Sequence, residues 1–571
     1  MPHTLPGKDI YLDIMEKAVG AYTVPLIEEY IDTVRRDGLS EHGFPRLAAD
    51  IGILIAHGRI THFRELFIRL MDLCCEEMPV AYQRSGNSAV GNEFSVKEIV
   101  MCLMTLEKYN AFPDEIGRWK DAIRSMDPYA IYANIAPVPP KPMHNWAAFA
   151  AASEQLRIHA GLGAPSSAAF VDNQVASQLF NFDENGMYRD PNEPIVYDLT
   201  TRLQLSITMH YGFGGSNADA LREQLRKGSL QTPFMQSVSG EIPFGGRSNQ
   251  FLHNEPTFAA LFEYEAVQHK KNGDLQKAGQ CRSAAMLAAQ HVMNWLNTEH
   301  VYHIKNGYEP FSGYGCEPYG YFHKYMVTAA SFAHFAYLLA DENIEPQPCK
   351  ALSENFIHRT GDHFHKTFVK FGDYFLEYET RADFHYDCSG LGRIHRRGAP
   401  SAICMTLPVT PTPNYGLDLQ NPGPLSLCAG MESGGEMHFS CEEGTRFELL
   451  EHSVTEEAAR LLWKVILPGG STFTEECTAA DEGVTLRYAC GGEISILLPA
   501  FEGDGWRRSE VEISGKDAVI RYEGFECRYS ASAPISVRPE LYANRSGHYR
   551  ALQVNGTNGA EVYIAIEPAE A

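Results

Sequence analysis

The sequence predicts a helical domain followed by an antiparallel β-sandwich, with the helices paired as hairpins in a ring, an (α/α) toroid. Its 571 residues exceed the size of one ordinary core, so at least two domains are expected. Apolar residues recur at helical spacing up to about residue 345, and from about residue 365 the pattern alternates as in strands. We therefore divide the chain into a toroid domain, residues 1–360, and a sandwich domain, residues 361–571.

The first half contains about a dozen helical segments joined by loops rich in Gly, Pro and Asn. Typical segments are FRELFIRLMDLCCEEM, VKEIVMCLMTLEKY and LTTRLQLSITMHYG. No repeat of fixed length is visible, so a solenoid of identical units is not expected. Long helices with elaborate loops favour hairpins around a ring, and alternate loops of such a ring project from one end.

The second half alternates in segments such as TRFELLEHSV, GVTLRYACGGEISILLP and AEVYIAIEP, which predicts antiparallel strands. The Gly-rich segments PGGS, CGGE and EGDG are interpreted as turns between them. The polar stretch over residues 381–400 and onward to Met405 is predicted as an irregular connection, dense in His385, His395, Arg396 and Arg397. Such a loop would pack across the domain boundary or reach the mouth of the ring.

Composition limits the partners. A formal net charge of −24 argues against non-specific binding to nucleic acid or to anionic membranes, although a local arginine pocket could still hold an anionic substrate. No segment approaches the roughly 20 apolar residues of a membrane span, and we see no secretory signal. The 13 scattered cysteines favour free thiols in a reducing cytoplasm. We expect a cytoplasmic enzyme acting on oligosaccharides, and a homo-oligomer is compatible with that class.

No motif predicts a cofactor. GFGGSNAD lacks the Lys-Ser/Thr of a phosphate loop, and HExxH, GxSxG, CxxC and a dinucleotide fingerprint are missing from the sequence. DENGMYRD has an acidic turn but not the regular spacing or the distal glutamate of a calcium loop. We therefore predict neither a cofactor nor a metal site.

Four polar clusters lie where loops meet predicted helices. If alternate loops share one end of a ring, these distant clusters meet at one mouth. The candidate site residues are His144, Asn145 and Trp146 in the first cluster, Tyr197, Asp198 and Arg202 in the second, Arg247, Asn249, His253 and Glu255 in the third, and Glu309, Glu317, Tyr319, Tyr321 and His323 in the fourth.

These residue types suit carbohydrate chemistry. Aromatic rings stack on the apolar faces of sugars, and arginine and asparagine bind hydroxyl and carboxylate groups through directed hydrogen bonds. Two carboxylates can act as general acid and base on a glycosidic bond, whereas histidine and tyrosine can remove and donate protons.

Each cluster also has a purely structural interpretation. Asp198 and Arg202 stand at i and i+4, where a helical ion pair contributes about 0.2–0.5 kcal/mol. Glu255 would be favourable near a helix N-terminus on electrostatic grounds alone. Asn145 could simply cap a helix, and His334 in SFAHFAYLLAD reads as a core histidine.

Long helical hairpins followed by a β-sandwich resemble the (α/α) toroid carbohydrate-active enzymes. GCEPYGYFHKYMV resembles the acidic Tyr/His motif of heparinase II/III-like polysaccharide lyases, and FGGRS with EPYGYFHKYM resembles a family of uncharacterised bacterial toroid proteins. Exo-acting β-glucuronidases share this architecture. By this resemblance Asn145 would contact a carboxylate, and Tyr321 and His323 would be acid/base residues. The spacing of the lyase His and Tyr is not clearly reproduced.

Three hypotheses follow. The first is an exo-acting hydrolase of glucuronide-type oligosaccharides, resembling β-glucuronidases, in which two of four carboxylates form the acid/base pair and Arg247 holds the uronate. The second is a lyase that neutralises the uronate with Asn145 and Arg247 and abstracts its α-proton with His253, Tyr321 or His323. The third is a non-catalytic glycan-binding protein. The four carboxylates are Asp198, Glu255, Glu309 and Glu317.

Overall fold

A computed structural model describes residues 7–85, 90–132, 134–135, 145–192, 194–298 and 301–569. Its first part is helical. The α-helices are α1 Asp9–Gly20, α2 Val24–Asp37, α3 Gly43–Ala56, α4 Arg64–Glu77, α5 Ala81–Ser85, α6 Asn92–Lys108, α7 Ile116–Arg124, α8 Pro128–Ile131, α9 Asn145–His159, α10 Ser167–Gln178, α11 Ile195–His210, α12 Ala218–Ser229, α13 Thr232–Met235, α14 Asn254–Lys271, α15 Leu275–Leu296, α16 Phe322–Leu339 and α17 Lys350–Ser353.

The long helices form a closed ring. Within the described ranges, α3 packs on α6, α6 on α9, α9 on α11, α11 on α14, α14 on α16, and α16 returns to α3. The helices α1, α4, α7, α10, α12 and α15 pack outside this inner ring, each against an inner neighbour. Most inner helices have little amphipathic contrast because they are covered on both sides; in α9 every residue from Ala147 to Arg157 is buried. The predicted toroid of helical hairpins is confirmed.

The second part consists of antiparallel strands in two sheets. One sheet has the order β1-β2-β3-β4, and the larger one is built around β10 and β15, which pair along most of their length. The strands are β1 Phe356–Arg359, β2 Lys366–Phe371, β3 Tyr374–Glu379, β4 Gly390–Arg396, β5 Cys428–Ser433, β6 Glu436–Phe439, β7 Arg446–Val454, β8 Ala459–Ile466, β9 Thr472–Ala479, β10 Val484–Gly503, β11 Glu510–Ser514, β12 Asp517–Tyr522, β13 Phe525–Ala531, β14 Ile535–Asn544 and β15 Gly547–Pro568.

The two sheets share one core, as in a sandwich. Tyr378 of the small sheet packs on Trp463 of the large sheet at 5.7 Å between ring centroids. Its hydroxyl donates to Glu475 Oε1 at 2.8 Å, and Tyr374 donates to the carbonyl oxygen of Ile566. The predicted order, α then antiparallel β, is therefore confirmed.

Two local predictions were wrong. The stretch 381–400 is not irregular throughout, because residues 390–396 form β4, and residues 390–395 are buried although they include Arg393 and His395. Arg393 satisfies its charge with Glu377 at 3.1 Å and a hydrogen bond to the Ile242 carbonyl, so tertiary contacts allow charged residues in a covered strand. CGGE is not a turn but lies within β10, where the pairing register with β15 shifts.

The ring brings the N-terminal ends of its inner helices together. Arg46, near the start of α3, donates to the carbonyl oxygen of Phe94 near the start of α6, and Phe94 packs on Trp146 of α9 at 4.9 Å. His42, just before α3, lies 6.4 Å from the ring of Tyr325 in α16. This mouth therefore collects side chains from widely separated sequence positions. No helix among the described residues has the length and apolarity to cross a membrane.

Candidate active site

The loop before α14 has positive backbone φ angles at several positions, including two that are not glycine. Gly246 has φ 77°, and a Cβ added there would lie 2.5 Å from Pro194 Cβ. Ser248 and Gln250 also have positive φ values, 58° and 64°, although neither is glycine. Backbone strain of this kind persists only where surrounding contacts impose it, and it concentrates at functional sites.

Three carboxylates hold this loop through its backbone. Glu377 of β3 accepts the Phe244 N–H at 3.2 Å, and Asp387 accepts the Gly246 N–H at 3.2 Å. Glu317 accepts the Ser248 N–H at 2.6 Å. The β part thus supplies two of the three acceptors, so the loop is fixed from the sandwich as well as from the ring.

Arg247 projects from this loop into a polar and aromatic setting. Its guanidinium lies 4.2 Å above the Tyr197 ring, pairs with Asp190 and donates to the Pro191 carbonyl. Burial opposes the charge of Arg247, but Tyr197 and Asp190 raise its pKa above the ordinary value. Its side chain remains 20% exposed, which leaves the cation accessible from the mouth.

Asp190 joins Arg247 to Asn145. Its Oδ1 accepts from the Asn145 side-chain amide at 3.1 Å and from the Asn145 backbone N–H at 3.4 Å, while Oδ2 pairs with Arg247. Asn145 Oδ1 is buried without a hydrogen-bond partner. The two predicted carboxylate-binding residues therefore share a carboxylate of the protein itself, which fixes their positions. Trp146 follows at the same helix start, and His144 lies outside the described residues.

Three tyrosines surround Ser248, and we call Tyr197, Ser248, Tyr319 and Tyr325 the tyrosine cluster. The hydroxyl groups of Tyr197 and Tyr319 each lie 3.0 Å from Ser248 Oγ, and the Tyr325 ring lies 6.2 Å from the Tyr319 ring. Burial, with the nearby Tyr197 and Glu317, raises the pKa of both Tyr319 and Tyr325 well above the ordinary phenol value. These two phenols therefore stay protonated at neutral pH.

His253 lies beside the tyrosine cluster. Its ring is 5.2 Å from the Tyr325 ring and 5.6 Å from Phe251, and its Nδ1 is buried without a hydrogen-bond partner. Burial, reinforced by the charge of Arg46, lowers the pKa of His253 to about 3. The imidazole is therefore neutral at physiological pH, and the helix entrance that carries it is buried rather than solvated.

The carboxylates predicted as an acid/base pair have other partners. Glu317 forms a bidentate pair with Arg545 at 2.6 and 3.0 Å, and Glu255 binds Lys305 at 2.8 Å. Asp198 is likewise held bidentately by Arg202, which also reaches Glu265, all in the interior. Glu309 is exposed on its loop. The structural interpretation of Asp198 and Arg202 as an i,i+4 ion pair matches this geometry.

The remaining predicted residues make contacts outside the tyrosine cluster. Asn249 donates from its side chain to the Pro243 carbonyl and so stabilises the loop. Tyr321 is 43% exposed before α16, and its ring lies near Lys324. The His323 ring lies 4.9 Å from the Tyr30 ring and also packs on the Phe311 ring.

Sequence reasoning missed four residues that organise this site: Asp190, Ser248, Tyr325 and Arg545. Asp190 and Ser248 were within the quoted segments, but their roles depend on contacts with distant helices. Tyr325 is four residues beyond Tyr321, but Tyr325 lies inside α16 whereas Tyr321 precedes the helix with an extended backbone. Arg545 is 228 residues from Glu317, and no local signal links the two.

Among the described residues, no group of three or more His, Cys, Asp or Glu side chains is arranged to hold a metal ion. The polar groups of the site are instead phenol, hydroxyl, amide, guanidinium and imidazole. They can bind an anion, donate a proton and accept one without a further group.

No family model and no curated protein matches the chain. Several solved structures, however, match the chain. A chondroitin AC lyase from Streptomyces coelicolor A3 is 11% identical, with a TM-score of 0.49 over 100% of this chain and 80% of that one. A heparinase III is 10% identical, with a TM-score of 0.48 over 94% and 78%. A heparan sulfate lyase from Pedobacter heparinus is 9% identical, with a TM-score of 0.46 over 92% and 76%. Similarity at this level assigns no reaction.

Proposed function

We propose that the protein is a carbohydrate-active enzyme that cleaves uronate-containing glycans by β-elimination. The observation that carries this proposal is the meeting of Arg247 and Asn145 with the tyrosine cluster and a neutral His253 at the mouth of the ring. Elimination beside a carboxylate needs these three functions: an anion-binding group, a proton acceptor and a proton donor.

The mouth favours an anion although the whole chain is acidic. Arg247 supplies a partly exposed cation, and Asn145 supplies an amide held in place by Asp190. The N-terminal ends of the inner helices face the same region, and each helix N-terminus carries a partial positive charge. A uronate carboxylate bound here would gain most when the negative charge spreads into its oxygens, as it does when the adjacent carbon loses its proton.

We assign the proton transfers to His253 and Tyr319, which both border Tyr325 at the mouth of the ring. His253, held neutral, accepts the proton from the carbon next to the carboxylate. The electron pair of that C–H bond forms a carbon–carbon double bond, and the bond from the neighbouring carbon to the glycosidic oxygen breaks. Tyr319, held protonated, donates its proton to the departing oxygen. No water is consumed, and the products are one chain with a new hydroxyl group and one with an unsaturated uronate end.

Hydrolysis, the first hypothesis from the sequence, has less support. It needs two carboxylates on opposite sides of one bond, about 5–10 Å apart, with one of them protonated. Glu255 and Glu317 are engaged with Lys305 and Arg545 in the interior. These cations already occupy oxygens of both carboxylates, so neither carboxylate is free to approach a glycosidic bond in this arrangement.

The experiment is incubation with glucuronate- and iduronate-containing oligosaccharides while two signals are followed: ultraviolet absorbance of the conjugated double bond and new reducing ends. We expect both signals to rise together, in a one-to-one ratio. New reducing ends without absorbance would identify hydrolysis and overturn elimination. Binding of the same oligosaccharides without either signal would favour the non-catalytic glycan-binding protein.

A further inference from the structure

A second cavity lies at the junction of the helical ring and the β part, on the outer side of the loop that carries the tyrosine cluster. Its volume is about 500 Å³, within the range of small-molecule sites. It is bounded by α15, by residues 302–307 and by two loops of the β part, residues 397–402 and 504–507.

Buried charged residues form one wall of this cavity. Glu241 is 2% exposed and lies 3.4 Å from His291 Nε2 and 3.5 Å from Lys305 Nζ. Ser401 and Thr406 donate their hydroxyl groups to the same carboxylate. Each buried charge of this wall has an opposite charge or a hydrogen-bond donor beside it. The wall is therefore polar and preorganised, and it needs no bound ion to balance its charge.

One lining group is buried and has no partner. Ser546 is 4% exposed, and its Oγ makes no hydrogen bond in the structure, although its backbone N–H donates to Asn544. A buried hydroxyl without a partner costs free energy, and native proteins contain few of them. A rotation of this side chain toward the cavity would let a ligand hydroxyl group satisfy it.

The other walls combine aromatic rings with amides. Trp295 and Trp506 line the cavity together with Gln290 and Asn294. The formal charges of the acidic and of the lysine and arginine lining residues cancel. Three carboxylates, Glu241, Asp504 and Glu523, are matched by three cations, Lys305, Arg397 and Arg507. Indole rings pack on apolar ring faces and amides bind hydroxyl groups, so the lining suits a neutral, hydroxyl-rich ring.

We propose that this cavity is a second binding site, separate from the tyrosine cluster, for a neutral sugar unit. The two sites share a wall. Gln250 and Ser546 line the cavity, whereas Ser248 and Arg545, one or two residues away along the chain, belong to the candidate active site. A bound sugar would thus contact the back of both segments that position the tyrosine cluster.

The test is ligand-observed NMR titration of the full chain with glucose, galactose and N-acetylglucosamine, with glucuronate as the charged comparison. We expect saturable binding of at least one neutral sugar that Trp506→Ala weakens, whereas glucuronate bound at the mouth of the ring should not respond to Trp506→Ala. Trp506→Ala should weaken the binding of the neutral sugar about tenfold, and Gln290→Ala, an exposed position tolerant of change, should weaken it several-fold. Sugar binding in this cavity is measurable whether or not the tyrosine cluster catalyses elimination.

Ser546→Ala gives the sharpest result. It should weaken sugar binding roughly fivefold because a ligand hydrogen bond is lost, yet leave the thermal stability of the free protein unchanged or higher because an unpartnered hydroxyl is removed. Trp146→Ala at the ring mouth and Phe180→Ala on the exposed surface are controls that should retain binding. The proposal is overturned if no neutral sugar binds, or if Trp146→Ala rather than Trp506→Ala abolishes the binding of the neutral sugar.

Discussion

Replacing Tyr319 with phenylalanine distinguishes a catalytic role of its hydroxyl group from a structural one, because the two roles predict losses of very different size. The change removes one hydroxyl group, which lies 3.0 Å from Ser248 Oγ. Loss of this hydrogen bond should cost about 1 kcal/mol of folding free energy. Loss of the proton donor to the departing oxygen should lower kcat by about 100- to 10,000-fold, which is roughly 3–5 kcal/mol in the barrier.

Tyr197→Phe is the matched control. Its hydroxyl lies at the same 3.0 Å from the same Ser248 Oγ, so the loss of stability should be similar. The Tyr197 ring would still lie beneath the Arg247 guanidinium, and we assign its hydroxyl no proton transfer. We expect its kcat to fall by less than about tenfold.

The assay is the initial rate of double-bond absorbance on a uronate oligosaccharide, together with the thermal unfolding midpoint of each variant. The expected pattern is equal midpoints for Tyr319→Phe and Tyr197→Phe with kcat values that differ by at least about tenfold. Equal losses of kcat in the two variants would refute the assignment of Tyr319 as the donor. A Tyr319→Phe enzyme with nearly full activity would refute it as well.

Three further predictions concern the supports of the site and the core. Arg545→Met leaves Glu317 buried without its cation and should lower the free energy of unfolding by about 3–5 kcal/mol. Adding Glu317→Gln to the same chain should restore much of this loss, and additive losses in urea unfolding would contradict the pairing. Gly246→Ala should cost about 1–3 kcal/mol and slow elimination, because its Cβ would lie against Pro194 at a positive φ; an unchanged unfolding midpoint would count against this strain. Burial raises the pKa of Glu475 from its ordinary 4.5 to about 7, so its contribution to stability is full below pH 4.5 and is lost as the pH rises to 7. Between pH 4.5 and 7 the free energy of unfolding of Glu475→Gln should therefore rise by up to about 3 kcal/mol relative to that of the parent chain. A difference between the two chains that does not depend on pH would contradict the raised pKa of Glu475.

Much of the fold could be predicted from local patterns. The change from helical spacing to alternation near residue 360 is set by which side chains face a core, and it predicted the order of the two architectures. The prediction failed where tertiary contacts override the pattern. Arg393 sits in a buried strand because Glu377 neutralises it, and the glycines of CGGE continue β10 because β15 pairs with the strand on either side of them.

The candidate site was only partly predictable. The sequence brought attention to Arg247, Asn145, His253 and Tyr319 because polar and aromatic residues at helix entrances are unusual in a core. Their chemistry depended on which charges had partners. Glu255 reads in sequence as a free carboxylate at a helix start, but Lys305, 50 residues away, binds it in the interior.

The sequence by itself determined that this protein has a helical half, a strand half and polar clusters at helix starts, because these features follow from side-chain periodicity along a short stretch of chain. Only the tertiary structure decided which clusters act together. Closing the ring places the inner helix starts at one mouth, Asp190 joins Arg247 to Asn145, and Arg545 of the β part forms an ion pair with Glu317. These contacts join residues far apart in the chain, and burial then sets the protonation state of each group, so neither is encoded in any local pattern.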